Sequence, residues 1–470
     1  MPERADEPSP KPAVPDPKDQ EIERLRRELE RLQRENARLK RELDLARRAT
    51  MRQAAPFSKG APTLSPRRAG RRAGRVYGRH AHRPVPTALH EVHAVPLPRA
   101  CPNCGGRVAP TRVAAQYQED LPVVHPLVRR FDVHVGACRQ CGRRVQGRHA
   151  LQTSDALGAA AVQLGPQAVA WISLLNKHLG LSHAKVATLL RERFGLAVTP
   201  SAVTQALHRA ARQAQPTYAA LRDTIRGSPV VAPDETSWKV GGVLHWLWAF
   251  ATPETTVYAI HRGRGFAEAA SVLGVDFAGV LVRDGWAPYR DFRHAAHQTC
   301  LAHLLRRCRE LRVDHPHAAF PRRMQTVLRR ALGVRDRRAD GTMSPHGAAV
   351  ARGQLMTQVL TVLDHPGPLP AMRRFAAHLT TELPALLSFL FDPAVDATNW
   401  RAEHAIRPAV VNRKVCGGNR SARGADTQQV LASVIRTARQ RGLNAGDVLV
   451  DLLRAPQPRV SIALQSAAPR

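Results

Sequence analysis

Four short apolar runs between residues 229 and 284 limit the fold of this 470-residue chain more than any other feature. They cover 229–234, 243–251, 256–262 and 278–284, and a helical stretch at 265–273 separates the last two. Each has the length of a strand and is rich in Val, Ile, Trp and Tyr, side chains that suit a pleated, half-buried surface. The order β-β-β-α-β predicts an α/β domain. The first run ends in Pro233, Asp234 and Glu235, and the fourth ends at Asp284. A buried strand has no use for a carboxylate. Successive strand residues face opposite ways, so only one of Asp234 and Glu235 can line a given site.

In a ribonuclease-H-like sheet the first and fourth strands are neighbours, which would bring Asp234 and Asp284 together. Two carboxylates in such proximity repel unless cations bridge them. Two Mg²⁺ (or Mn²⁺) ions do this, because hard cations take oxygen ligands and a metal pair stabilises the attacking and leaving oxygens of a phosphodiester. A third acid is expected. Glu403 supplies it from a helix predicted over 399–409, with Asn399 and Arg407 one turn to either side on the same face. Cys300 and His303 form a CxxH just after the second Asp. They are expected either to support the metal site from behind or touch DNA, or to pack the base of the insertion, since two ligands alone do not make a zinc site.

The charge says what such a site would act on. Lys and Arg number 71 against 38 Asp and Glu, a formal net charge of +33. That implies a polyanionic partner, and nucleic acid above all. No apolar run is long enough to span a membrane. The N-terminus has no apolar stretch and does not read as a signal peptide.

The N-terminal half is modular. Residues 1–19 are Pro-rich and expected to be disordered. Over 20–49, Ile22, Leu29, Asn36 and Leu43 fall seven apart, as do Leu25, Leu32, Leu39 and Ala46. These are the a and d positions of a coiled coil, and Asn36 at an a position favours a parallel dimer in fixed register. A basic linker follows over 50–94, with no acid between 51 and 90. Cys101 and Cys104, then Cys138 and Cys141, make two CxxC knuckles in a segment at 95–150 whose intervening residues alternate like strands. Four thiolates form a closed tetrahedral site, so this predicts a zinc ribbon with one structural Zn²⁺. Residues 160–226 read as helices, with Ser182 capping one and Thr199 with Pro200 starting the next, a helix-turn-helix-like region for DNA. The core is expected over 228–412 with a helical insertion at about 305–395. A basic loop and helix follow at 413–455, with Arg413, Lys414 and Arg420 among glycines suited to phosphates. A loose tail is expected at 456–470.

The stretches PDETSWKV, RDGWAPY, CLAHLLRR and ATNWRAEHAIRPAVVNRKVCGGNRSARGA together resemble the transposases of the IS66 family. The coiled coil, the CxxC ribbon and the helical segment come in the same order, so the resemblance runs from about residue 20 to 455. It implies a DDE transposase with Asp234, Asp284 and Glu403 as the triad, acting on the ends of a mobile element and on target double-stranded DNA. It implies that Asp234 is the ligand and that Glu235 faces away. Where many relatives carry Arg after the triad Glu, this chain has His404. Such elements usually encode two further small proteins, which makes accessory partners an expectation beside a homodimer or larger assembly. A bacterial cytoplasmic, nucleoid-associated protein is expected. A DNA-binding regulator without catalysis and a structure-specific nuclease are the competing readings. The regulator has no need for the three acids together.

Overall fold

The computed structural model describes residues 21, 24–33, 35–36, 39, 83–158 and 162–465. The expected disorder at 1–19, the heptad positions Ile22, Leu43 and Ala46, most of the basic linker and the last five residues lie outside the described residues. The chain divides into two compact units at Asp120 and Leu121.

In the first unit residues 24–33 are helical. Ion pairs one turn apart, Arg24 with Glu21 and Arg31 with Glu28, lie along that helix. Leu25, Leu29 and Leu32 stand exposed on it, and Leu39 beyond it is exposed too. The first CxxC closes a tight turn, with Cys101 N–H donating to Gly106 O and Gly105 N–H to Cys101 O, each at 2.9 Å.

The second unit opens with the other CxxC. There Cys138 N–H donates to Arg143 O at 2.8 Å and Gly142 N–H to Cys138 O at 2.9 Å. Two short strands, β1 (Val135–Ala137) and β2 (Arg144–Gln146), pair antiparallel around it. The alternating pattern before β1 does not become strand, and Val113, Leu121, Val123 and Val128 are largely exposed. Alternation stabilises a strand only where one face is buried.

The helices α1 (Pro166–Ser173), α2 (His183–Phe194) and α3 (Pro200–Arg226) follow. Both expected caps form: Ser182 accepts from Lys185 N–H and Thr199 from Ala202 N–H. α3 is much longer than a recognition helix. Its Val203, Leu207, Ala214, Tyr218 and Ile225 are buried in the main core, and Tyr218 O–H donates to Tyr258 O at 2.8 Å.

The centre of this unit is a five-stranded sheet of order β5-β4-β3-β6-β7, made of β3 (Val230–Val240), β4 (Val243–Ala251), β5 (Thr256–His261), β6 (Val280–Arg283) and β7 (Ala296–Thr299). β3, β4 and β5 are antiparallel, while β6 and β7 run parallel to β3. α4 (Phe266–Leu273) makes the crossover from β5 to β6. The first and fourth strands are therefore neighbours, an arrangement that fits a nuclease-like core. β3 does not stop at Asp234, as expected, but runs on to Val240. Its antiparallel partner β4 lies on the opposite edge from β6 and pairs with it as far as Val240 with Val243, so that ladder runs on past the point where the β6 ladder ends.

Both faces of the sheet are covered. Val231, Trp248, Phe250 and Leu281 pack into the core shared with α1–α4, α10 (Ala422–Gln440) and α11 (Ala445–Arg454). On the other face Trp238, Val240 and Leu247 meet Ala405, Ile406 and Ala409 of α9 (Trp400–Cys416). Ala232 and Val282 meet a helical layer of α5 (Leu301–Asp314), α6 (Phe320–Ala339), α7 (Pro345–Leu363) and α8 (Pro370–Glu382). Residues 456–465, expected as a loose tail, dock on α3 instead: Ser461 N–H donates to Thr217 Oγ1 at 3.0 Å, and Leu464 is buried. Among the described residues no helix is long and apolar enough to cross a membrane.

Candidate active site

Strand register brings the two aspartates to one edge. Val230 pairs with Val280 and Val231 with Leu281 across the parallel β3–β6 ladder. The same offset carried forward sets Asp234 level with Asp284, just where the strands part. Parallel strands end their ladders on the same side, so acids placed there face a common cleft.

The pleat separates Asp234 from Glu235, as expected. Glu235 is buried on the Trp248 side, where it accepts from Arg264 at 2.7 Å and from Tyr289 O–H at 2.5 Å. Arg264 in turn lies over Trp246 and Trp286, at 4.6 and 3.9 Å from the ring centroids. Glu235 is thus an internal counter-charge that fixes the loop after β6. Burial raises its pKa, against the opposing pull of Tyr289 and Arg264.

Asp234 has no such cation. Burial first, then the negative charges of Glu235, Asp284 and Glu403, push its carboxyl from 3.8 up to about 8. Its Oδ1 accepts from Glu235 N–H at 2.9 Å. Asp284 Oδ1 accepts from Trp286 N–H at 2.9 Å, which orients it at the mouth of the loop. A half-buried carboxylate surrounded by three more acids is costly, and a bound cation removes that cost. The oxygen donors of Asp234, Asp284 and Glu403 suit Mg²⁺.

Glu403 arrives on the first turn of α9, whose start is tied to the sheet. Asn399 Nδ2 donates to Pro233 O at 2.8 Å, and Asn399 N–H donates to Cys300 Sγ at 3.1 Å. Asn399 is therefore the staple between β3 and α9 rather than a bystander. Glu403 leans towards α5, with Oε1 3.6 Å from His303 Nε2. Among the described residues, the donor atoms of Cys300, His303 and Glu403 lie within 4.8 Å of one another. The CxxH expected to stand alone has Glu403 beside it as a third candidate donor. His404, at the position after Glu403, faces α10, where its Nδ1 meets Arg436 at 2.9 Å.

The basic loop divides. Arg413 bonds Thr236 Oγ1 at 3.0 Å and Ser237 Oγ at 2.8 Å, so it clamps α9 to β3. Asn419 accepts from Trp238 Nε1 at 2.8 Å, and its N–H donates to Lys239 O at 2.8 Å. Gly418 sits at φ +118° with Lys239 O where a Cβ would be, which is why no other residue fits there. Arg407, Lys414 and Arg420 are exposed around this loop.

A buried ionic network lies behind Asp284. Arg283, buried at the end of β6, donates to Glu382 of α8 at 2.7 Å and to the carbonyl of Asp284 at 2.8 Å. Glu382 also receives Arg290 at 2.9 Å and Thr299 O–H at 2.5 Å. Burial alone would raise the Glu382 carboxyl, but Thr299 and Arg283 outweigh it and hold it low. The signal was present: an Arg inside an apolar strand needs a partner, and Glu382 is the single acid between Asp364 and Asp392.

At the knuckles, backbone N–H groups lower the thiol pKa of Cys101 and of Cys138, which favours thiolates in each turn.

Residues 161–427 match the family model described as transposase IS66 family, more than half of the chain. No curated protein matches.

Proposed function

The chain belongs to the IS66 family of transposases, and from that membership we propose that it cuts DNA at the ends of a mobile element and joins the freed 3′ hydroxyls to target DNA. The observation that carries the proposal is the level placement of Asp234 and Asp284 on adjacent parallel strands, with Glu403 close enough to raise Asp234. These three acids would hold the divalent ions on a ribonuclease-H-like core. When bound, such ions supply Lewis acidity at the attacking and leaving oxygens of the phosphodiester.

The rest of the chemistry belongs to the protein. Asp234 would give up its proton on holding such an ion. Arg283 and Glu382 hold the Asp284 backbone still from the helical layer, and Asn399 holds Glu403 to β3. Arg407, Lys414 and Arg420, with exposed Arg306, Arg322 and Arg329 on α5 and α6, would meet phosphates. The four knuckle cysteines would hold one structural Zn²⁺. The N-terminal heptads would pair two chains in parallel, so that two element ends are held at once.

The test is a duplex carrying one end of the element, mixed with supercoiled target, Mg²⁺ and the purified chain. Joined products are expected. Nicking without joining would leave a nuclease, and binding without either would leave a regulator.

A further inference from the structure

The sheet edge carries a third residue that the triad does not use. Arg283 of β6 pairs with Thr299 of β7, so the next step sets Asp284 level with Cys300, and Cys300 N–H donates to Arg283 O at 2.8 Å. Asp234, Asp284 and Cys300 thus stand in a row across three parallel strands. Cys300 caps α5, and His303 follows on its first turn.

We propose that Cys300, His303 and Glu403 form a separate site for a thiophilic transition ion of the zinc class, which competes with the Mg²⁺ site for Glu403. The competition rests on the reading of Glu403 as a Mg²⁺ ligand; the binding itself does not.

The geometry is close to what such an ion needs. Ligands about 2.1 Å from a tetrahedral zinc stand roughly 3.4 Å apart, and slightly farther where one is sulfur. His303 Nε2 and Glu403 Oε1 are 3.6 Å apart, and all three donors fall within 4.8 Å. Rotation of the half-exposed Glu403 closes the remainder. Two buried polar atoms at this spot have no protein partner, His303 Nδ1 and Asn399 Oδ1. Asn399, whose backbone N–H reaches the sulfur, is almost wholly buried at 1% exposure, and its side-chain carbonyl oxygen has no donor. Buried polar atoms are rarely left so, and a water carried by an ion at His303 Nε2 would donate to the Asn399 carbonyl.

The donor set selects the ion. A thiolate, an imidazole and a carboxylate suit Zn²⁺ or Co²⁺, whereas Mg²⁺ takes oxygen ligands. On binding, the Cys300 thiol releases its proton to solvent and the S–metal bond forms, with no change of oxidation state. Glu403 then stands on the α5 side of the cleft, away from Asp234. The ion would act as a brake on strand cleavage.

The experiment uses the full chain loaded beforehand with one equivalent of zinc, which the four knuckle thiolates would take ahead of the three-donor site. Co²⁺ is then added, and its thiolate charge-transfer absorption is followed. Wild type is expected to gain that absorption, Cys300→Ala to lose it, and His303→Gln to bind Co²⁺ at least roughly tenfold more weakly. Should Cys300→Ala fail to fold, His303→Gln, altered at a half-exposed side chain, decides alone. Absorption unchanged in both variants overturns the site. In the second arm, Zn²⁺ is titrated into Mg²⁺-dependent cleavage, each protein being compared with its own zinc-free rate. Inhibition of wild type that is weakened in the variants supports the competition. Binding without inhibition overturns it and leaves the site. If no Mg²⁺-dependent cleavage occurs at all while the cobalt absorption behaves as expected, the transposase reading of Glu403 fails and the metal site stands.

Discussion

Replacing Asp234 with Asn should stabilise the metal-free protein, and more so as pH rises. The carboxyl titrates at about 8 in the fold against an ordinary 3.8. For an acid raised in this way, the folded chain keeps its proton when the unfolded chain has lost it. The stability it contributes is greatest below 3.8 and is lost as pH climbs towards about 8. Each unit is worth about 1.4 kcal/mol, so the loss between pH 5 and 8 has a ceiling of roughly 4 kcal/mol. The Asn side chain has nearly the same shape and can still accept from Glu235 N–H, but it does not ionise. Glu235 is raised in both proteins, and removing the neighbouring Asp234 charge also eases its ionisation, which adds to the gain of the variant in the same direction. Urea unfolding in EDTA at several pH values measures this. The stability of the variant relative to wild type should grow by about 2–4 kcal/mol across that window. Mg²⁺ should recover most of the loss in wild type at pH 8 and do little for the variant. A difference that stays flat with pH would refute the crowding of acids around Asp234.

Three more outcomes follow from the same geometry. Glu382→Gln should strand the buried Arg283 charge and cost about 3–5 kcal/mol in chemical unfolding, whereas Arg290→Gln, at the exposed end of the network, should cost under about 1 kcal/mol. Asn419→Ala should leave the buried Trp238 N–H without its acceptor and cost about 1–3 kcal/mol, read in the same way. Changing Cys138 or Cys141 to Ser should release one zinc by elemental analysis without altering cleavage metals, and a cleanly purified wild type without zinc would contradict the ribbon.

The parts of the site that sequence makes legible are those where a residue type conflicts with its local pattern. Asp234 and Asp284 stand out because each interrupts an apolar strand, and Ser182 and Thr199 because capping is a local hydrogen bond. What sequence hides is set by partners far along the chain. β7 is four residues of mixed character, Ala296–Thr299, and exists because β6 offers it a ladder. The extension of β3 past Asp234 depends on β4, and the role of Arg413 depends on the hydroxyls of Thr236 and Ser237 lying under α9. The Cys300–His303 pair gains its third donor only when α9 docks by Asn399 on Pro233, a contact no helical spacing announces. The strands expected before Val135 show the converse, alternation with no buried face to receive it.

The most direct measurement is Mg²⁺-dependent cleavage of a duplex carrying the element's end, by wild type, Asp234→Asn, Asp284→Asn and Glu403→Gln at equal DNA occupancy. Each variant should bind the duplex as wild type does and cut it about a hundred- to a thousandfold more slowly, as loss of essential transition-state charge stabilisation requires. Any one of the three cutting at the wild-type rate would contradict the account.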